Sequence, residues 1–507
     1  MKTNLKGLLA VAKTIFSSSY SRFSVVLLSC LLWTSVGWGQ VTVTNPSNTT
    51  PAMSSTYTSL ALAIADVNNR TAISGPVTIT LDANTPQTAP AGGYSITNVA
   101  ITGGSTTNRF IFDGGGNTIT AGIGTSTTTD AFFKIIGADF ITLQNFVLSE
   151  SSGNTTPTTQ IEWGIALLYS SATNGAQNNT IQNNTITLNR TNPNSIGVYS
   201  NSTHTATAVT VSATATGTGG GNSGLKVYGN TISNVNMGIV VVGPTAAADA
   251  NTGIDIGGSS SATGNTISNY GTTTTGMTFI NVSGTINGIL IRNSTGFNVS
   301  YNSITSSNGG ITASSTLRGI FIPSASNTPT GTFTNSINNN TIALTHGFTS
   351  GTIQGITVEG TTATATSTQN INNNNFTALG STVTTSGTIT AISTVAPHFT
   401  LSISGNTFTN LTTNTTGSFT FFGHSYTMPA SGSQTINNNS IVTAFNKTGA
   451  GGTVTISTSS ASSPSRIALN GVVSAGFSMT VLPQANAGPS FQHAISTGKF
   501  QGTMRPT

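Results

Sequence analysis

Along most of the chain the apolar positions recur in a fixed frame: an apolar residue, two variable positions, asparagine, a small polar residue, and a second apolar residue. The frame occurs at Ile181 to Ile186, Val227 to Ile232, Val299 to Ile304, Ile337 to Ile342, Ile371 to Phe376, Ile403 to Phe408 and Ile436 to Ile441. A weaker copy starts at Ala262 and ends at Ile267. The shared asparagines are Asn184, Asn230, Asn265, Asn302, Asn340, Asn374, Asn406 and Asn439, separated by 46, 35, 37, 38, 34, 32 and 33 residues. A period of this size marks a solenoid, in which each repeat buries its apolar face only against its neighbours.

In a straight strand, two apolar residues five apart would point to opposite faces. If both enter one core, a corner lies between them. Asparagine suits that corner because it tolerates the left-handed conformation and its amide can bond nearby backbone. Stacked coils would then align the asparagines into an internal amide ladder. A second apolar element follows most corners: Gly197-Val198, Gly238-Ile239-Val240-Val241, Gly288-Ile289-Leu290-Ile291, Gly319-Ile320-Phe321-Ile322 and Gly355-Ile356-Thr357-Val358. Each repeat thus predicts about three short strands, with Thr- and Ser-rich loops absorbing the differences in period.

Upstream, TSLALAIADVNN from Thr58 to Asn69 sets Leu60, Ile64 and Val67 on one face at helical spacing, with Thr58 or Ser59 as N-cap. This predicts a short amphipathic helix that covers the open first coil. The expected organisation is an export signal over 1–39, a cap region over 40–100, a parallel β-helix over 101–484 and a non-repeat tail over 485–507. The fold class is all-β.

Charge changes this picture at one end only. Asp, Glu, Lys and Arg make up 5% of the chain, so Thr, Ser, Asn and Gly must keep the surface wet. The net charge of +5 invites a nucleic-acid reading. However, Lys2, Lys6, Lys13 and Arg22 precede the apolar run from Phe23 to Trp33, and no acid occurs before Asp66. That is the layout of a secretory signal. Without these four, 11 basic residues face 10 acidic ones, and the case for nucleic acid disappears. The single cysteine, Cys30, lies in the same leader, so the mature chain would hold no disulfide. Leu27-Leu28-Ser29-Cys30 offers an alternative lipidation site, although Leu31-Leu32-Trp33 continues the apolar run. No later run of about 18 apolar residues predicts a membrane span.

GNTITAG at Gly116 to Gly122, AFFKIIGADFITLQNF at Ala131 to Phe146, and the stretch from Gln160 to Ser200 resemble the Bacteroidetes-type extracellular β-helix repeat proteins. The resemblance spans roughly residues 41 to 480 and is most specific in its first 200 residues. It implies a right-handed parallel β-helix exported to the cell exterior, usually by the type IX route, without a well-defined shared activity. Many relatives end in a sorting domain, which is not expected within this sequence. Its tail from Ala485 drops the repeat instead.

Chemistry is sparse. A glycosidase needs two carboxylates roughly 5 to 10 Å apart, and the only dense acidic stretch runs from Asp113 to Glu162. Asp113, Asp139 and Glu162 are the candidates for a polysaccharide lyase or glycoside hydrolase. Asp113 before three glycines and Asp139 in GAD also read as turn residues, and Glu162 beside Trp163 as an exposed strand residue or part of a sugar subsite. Trp163, Tyr169, Tyr199 and Tyr228 are candidate sugar-stacking platforms or, equally, packing residues. His204, His346, His398, His424 and His493 never pair at metal-ligand spacing, so no metal or cofactor is expected. Gly219-Gly220-Gly221 lacks the Lys-Ser/Thr of a phosphate cradle. The expected function is an extracellular adhesive or structural β-helix that contacts glycans or surfaces. A glycan-degrading enzyme and an inert spacer are the alternatives.

Overall fold

The computed structural model describes residues 39 to 471, apart from 98–100, 210–214, 272–278, 280–281, 283–285, 307–315, 325–330, 360–365, 396, 425–431 and 460–466. Cys30, the rest of the expected leader up to residue 38, and the 485–507 tail with His493 lie outside the described residues. Among the described residues strands form 49% and helix 4%, which makes the protein all-β, and the strands stack as a parallel β-solenoid of about 10 turns.

Each turn contributes one strand to each of three parallel ladders. Ladder A runs in register from Val77–Leu81 to Thr400–Ser404, and ladder B from Gln87–Thr88 to Thr407–Thr413. Ladder C, an eleven-stranded sheet, runs from Tyr94–Ile96 to Val454–Ser459. Ladders A and B meet at a corner so tight that the strand Ser433–Lys447 continues both. The parallel stack begins at Val77, pairing with Phe110, which is earlier than the expected boundary at 101.

The two apolar positions of the repeat frame become two interior rows. On ladder A, Leu143, Ile181, Val227, Ile256, Val299, Ile337, Ile371, Ile403 and Ile436 stack one above the other. On ladder B, Ile186, Ile232, Ile267, Ile304, Ile342, Phe376, Phe408 and Ile441 do the same. All are buried, and each contributes about 1.5–3 kcal/mol of transfer free energy. One expected position is corrected: Ile256, not Ala262, holds the ladder A place in its coil. Ala262 is exposed within an inserted loop between Ile256 and Asn265, which is why that copy of the frame looked weak. Towards the C-terminal end the core turns aromatic, with Phe376 and Phe408 stacked 5.1 Å apart and Phe419 against Phe445 at 4.8 Å.

The corner asparagines form one continuous ladder. Each side-chain Nδ2 donates to the Oδ1 of the next asparagine up the stack, from Asn184 to Asn230 at 3.0 Å through to Asn406 to Asn439 at 2.9 Å. The same Nδ2 donates to a carbonyl in the coil below, as Asn302 does to Ile256. Each Oδ1 also accepts a backbone N–H from below. Fully paired, such a buried amide avoids the 1–3 kcal/mol that an orphaned group costs, as an order of magnitude. The left-handed backbone, however, belongs to the residue before the ladder asparagine in every coil but that of Asn265: Asn183, Gly229, Tyr301, Asn339, Asn373, Gly405 and Asn438 all have φ between 53° and 68°. The expectation that one asparagine bends the chain and forms the ladder is thus corrected, since a residue at the bend cannot also aim its amide along the stack.

The recurrent glycines of ladder C have a packing cause. A Cβ on Gly238 would stand 2.4 Å from the Gly288 carbonyl and 2.6 Å from Ile267 Cγ2. Gly197, Gly288, Gly319 and Gly355 meet equivalent obstacles, so the facing ladder B side chains fill the space that a side chain here would need. At the N-terminal end, Val41–Thr44 pairs antiparallel with Val77–Leu81. The predicted helix spans Leu60–Val67, with Ser59 as N-cap and Leu60, Ala63, Ile64 and Val67 buried. Asn68 then bonds the Ser95 carbonyl and the Thr97 amide beside the first strand of ladder C.

Candidate functional site: the outer faces of the coils

Because all three ladders turn apolar residues inward, any site must lie on an outer face or in a corner loop. Asp113 ends a ladder A strand, Asp139 sits in the corner between ladders C and A, and Glu162 immediately precedes a ladder C strand. The three candidate acids therefore occupy three different corners of the cross-section. Asp113 accepts from the Gly115 amide at 2.8 Å and from the Gln144 and Asn145 side chains, the bonding of a turn residue. Asp139 accepts the Gln177 amide at 2.7 Å, and burial pushes its carboxyl up to about 6.

Glu162, expected to be exposed, is instead fully buried, because it lies where one coil packs on the next and bonds the Asp130 amide. Burial pushes its carboxyl up to about 8, against the opposing pull of the Asp130 amide and the Asn192 side chain. Asp130, one coil below and also buried, accepts from the amides of Thr125 and Ser126 and the Thr125 hydroxyl. These acids stitch loops to coils. With no solvent face, Glu162 has no route to a substrate. Among the described residues no group of three or more His, Cys, Asp or Glu could hold a metal ion, and no helix is long and apolar enough to cross a membrane.

Of the candidate aromatics, Trp163 and Tyr199 lie on the outer side of ladder C and are covered, whereas Tyr228 is half-buried at the end of a ladder A strand. Trp163 and Tyr199 are 0% exposed, stacked at 4.8 Å, with His204 and Phe279 packed around both rings. They belong to a second hydrophobic cluster with Met237, Val240, Leu290 and Phe321, lying outside the solenoid. Val209 and Phe279, from loops after their respective ladder strands, close over it. Tyr199 donates its hydroxyl proton to His204 Nε2 at 2.6 Å, while His204 Nδ1 donates to the Thr205 carbonyl. Burial holds His204 down to about 4, so the ring is neutral at pH 7. Tyr169 is likewise buried, and Tyr228 donates to Asp255 at 2.5 Å. As placed, Trp163 and Tyr199 offer no ring face to a sugar.

The sequence did carry a signal for this second core. Met237–Val242 is a continuous apolar run, the mark of a strand covered on both faces.

No family model, curated protein or solved structure matches the chain. The functional surface has therefore to be read from the geometry itself.

Ladder B presents the opposite outer face. From Thr118–Thr120 through Thr407–Thr413 none of its strands carries Asp, Glu, Lys or Arg. Ladder A, by contrast, carries Asp113, Lys226 and Asp255, and ladder C carries Lys134, Arg292 and Arg318. Outward on ladder B, Thr185, Thr231, Thr266, Ser303 and Thr341 form one row, and Thr187, Ser233, Ser268, Thr305 and Ala343 a second. Composition showed that hydroxyl residues are abundant. It did not show that they are gathered here, because the gathering depends on the coil register.

Proposed function

We propose that this is an exported, non-enzymatic surface protein with an adhesive or structural role, and that it makes contact through the outer face of ladder B. The observation that carries the reading is the charge-free, hydroxyl-lined surface on successive ladder B strands, in a chain whose candidate acids are dispersed to separate corners. Many individually weak contacts on a rigid repeat add up through effective concentration. The leader-like N-terminus and the resemblance to type IX-exported Bacteroidetes β-helix proteins support the exterior as the place of action. Extracellular glycans and other extended surfaces are the partner classes to try against this face.

The test is retention of the full-length protein on glycan arrays, insoluble polysaccharides and intact cells. Binding is expected to fall when Thr231→Lys and Thr266→Lys are introduced and to persist with Ser336→Lys on ladder A. Retention on none of these surfaces excludes glycans and cells as the partner, and retention on no surface of any kind removes the reading. Release of sugar fragments, lost on changing Asp113, Asp139 and Glu162 to Ala, would replace it with the enzymatic one.

A further inference from the structure

We propose that the partner of ladder B is crystalline water, so that this face binds the surface of ice; this rests on the contact reading above and names its partner. Three features of the face select the occupant.

The first is regularity. Thr185, Thr231, Thr266, Ser303 and Thr341 are register partners in five successive coils, and the second row runs parallel to them. Parallel strands repeat at about 4.8 Å, and residues two apart in a strand at about 6.6 Å. The face is therefore a two-dimensional array about 19 Å long over these five strands, with a hydroxyl at every position but Ala343. The inner Ile186, Ile232, Ile267, Ile304 and Ile342 are all buried, and the asparagine ladder pins the strand start one residue away. Such a lattice cannot adapt to an irregular partner. It engages along its whole length only with a partner that repeats at a similar spacing, as the oxygens of hexagonal ice do.

The second feature is the state of the hydroxyls. Thr185, Thr231, Thr266 and Thr341 are exposed, and none of their hydroxyls bonds a described protein group. On the second row only Thr187 and Ser233 bond each other, at 3.2 Å. The hydroxyls are left to water. Each threonine also sets a methyl group beside its hydroxyl, and an apolar group restricts the orientation of the water next to it. Hydroxyls anchoring water between methyl groups hold an ordered layer in place, and ordered bridging water is nearly as favourable as a direct bond.

The third feature is what the face lacks. Its strands carry no Asp, Glu, Lys or Arg, the nearest such charge being Arg190 bonded to Asn269 at the edge of the face, and the aromatic members of ladder B, Phe376 and Phe408, are buried inward. Sugar recognition draws on stacking rings or on concave sites with converging polar groups. A regular field of short side chains offers neither, whereas a crystal plane needs neither.

The experiment uses the full-length protein, fluorescently labelled, in ice grown slowly from dilute solution, with a second measurement of ice recrystallisation in sucrose. Enrichment in the ice phase above a non-binding control protein is expected, together with slowed crystal coarsening. Thr231→Lys with Thr266→Lys should return both readouts to the control level, and Ser336→Lys should leave them unchanged. Circular dichroism checks the fold. Should the lysine variant misfold, Thr266→Tyr keeps a strand-favouring residue while breaking the flat face, and it should give the same loss. Exclusion of the unaltered protein from ice, or ice binding indifferent to folded face variants, overturns the proposal. If the protein is excluded from ice but held on a polysaccharide or cell through ladder B, the contact reading stands and crystalline water is wrong. If no surface holds it, both fail.

Discussion

Ladders B and C are built from the same coils and share one interior, yet their outer faces have opposite fates. On ladder C the strands Trp163–Leu168, Ile196–Asn201 and Met237–Val242 are buried along their whole length. On ladder B the strands Thr185–Thr187, Thr231–Ser233 and Thr266–Ser268 bury only the central isoleucine. The difference follows from where the inserted loops land. Val209 comes from the loop after the ladder C strand Ile196–Asn201, and Phe279 from the loop between the ladder B strand Thr266–Ser268 and the ladder C strand Ile286–Arg292, yet both cover the apolar rings of ladder C. The outer residues of ladder B stay uncovered on these strands. A solenoid can thus place a second core on one side and a bare lattice on another without altering its repeat.

This contrast can be broken most severely at Trp163. Trp163→Ala should cost about 3–5 kcal/mol, because it empties a closed cluster, and thermal or urea unfolding would show it. A loss below about 0.5 kcal/mol, typical of surface sites, would mean that the outer face of ladder C is open after all. Asn302→Ala strands two buried donors of Asn265, the backbone N–H and Nδ2. The expected loss is about 2–5 kcal/mol, read from the same unfolding curves. Gly238→Ala forces a Cβ against Gly288 and Ile267 and should cost about 1–3 kcal/mol. Thr266→Ala on ladder B should stay within about 0.5 kcal/mol, which sharpens the comparison from the other side.

Acidification should separate the interior from the surface in another way. Burial holds His204, His346, His398 and His424 down to about 4. Neither ring nitrogen of His398 meets a hydrogen-bond partner among the described residues. The unfolded chain takes up protons near the ordinary histidine value of about 6.5, before the fold does. The stability these rings contribute is therefore complete above that value and falls as pH drops towards 4. His398→Leu should flatten the fall in urea midpoint between pH 7 and pH 5. Glu162 acts with the opposite sign. Its carboxyl is raised to about 8, so the fold holds a proton that the unfolded chain releases, and stability is lost as pH rises from the ordinary carboxylate range towards 8. Glu162→Gln should be most stabilising, relative to the unaltered chain, at pH 8 and above.

Much of the interior was legible in the sequence because the repeat is local: the frame from Ile181 to Ile186 states both core positions and the amide between them. The helix at Leu60–Val67 was legible from its spacing for the same reason. Ile256 was hidden because an insertion separated it from Asn265, so the frame was sought at the wrong distance. The candidate site was less legible. Trp163 and Tyr199 look identical in sequence whether they face solvent or a loop, and the covering residues Val209 and Phe279 are far from Trp163 along the chain.

By itself, then, the sequence determined the stacking: an apolar residue, asparagine and apolar residue at fixed spacing leave few other ways to bury two side chains and satisfy an amide. Only the tertiary structure decided which faces stayed open. Loop closure and coil register bring together residues tens of positions apart, and no short-range pattern encodes whether a returning loop lands on one ladder or leaves it bare.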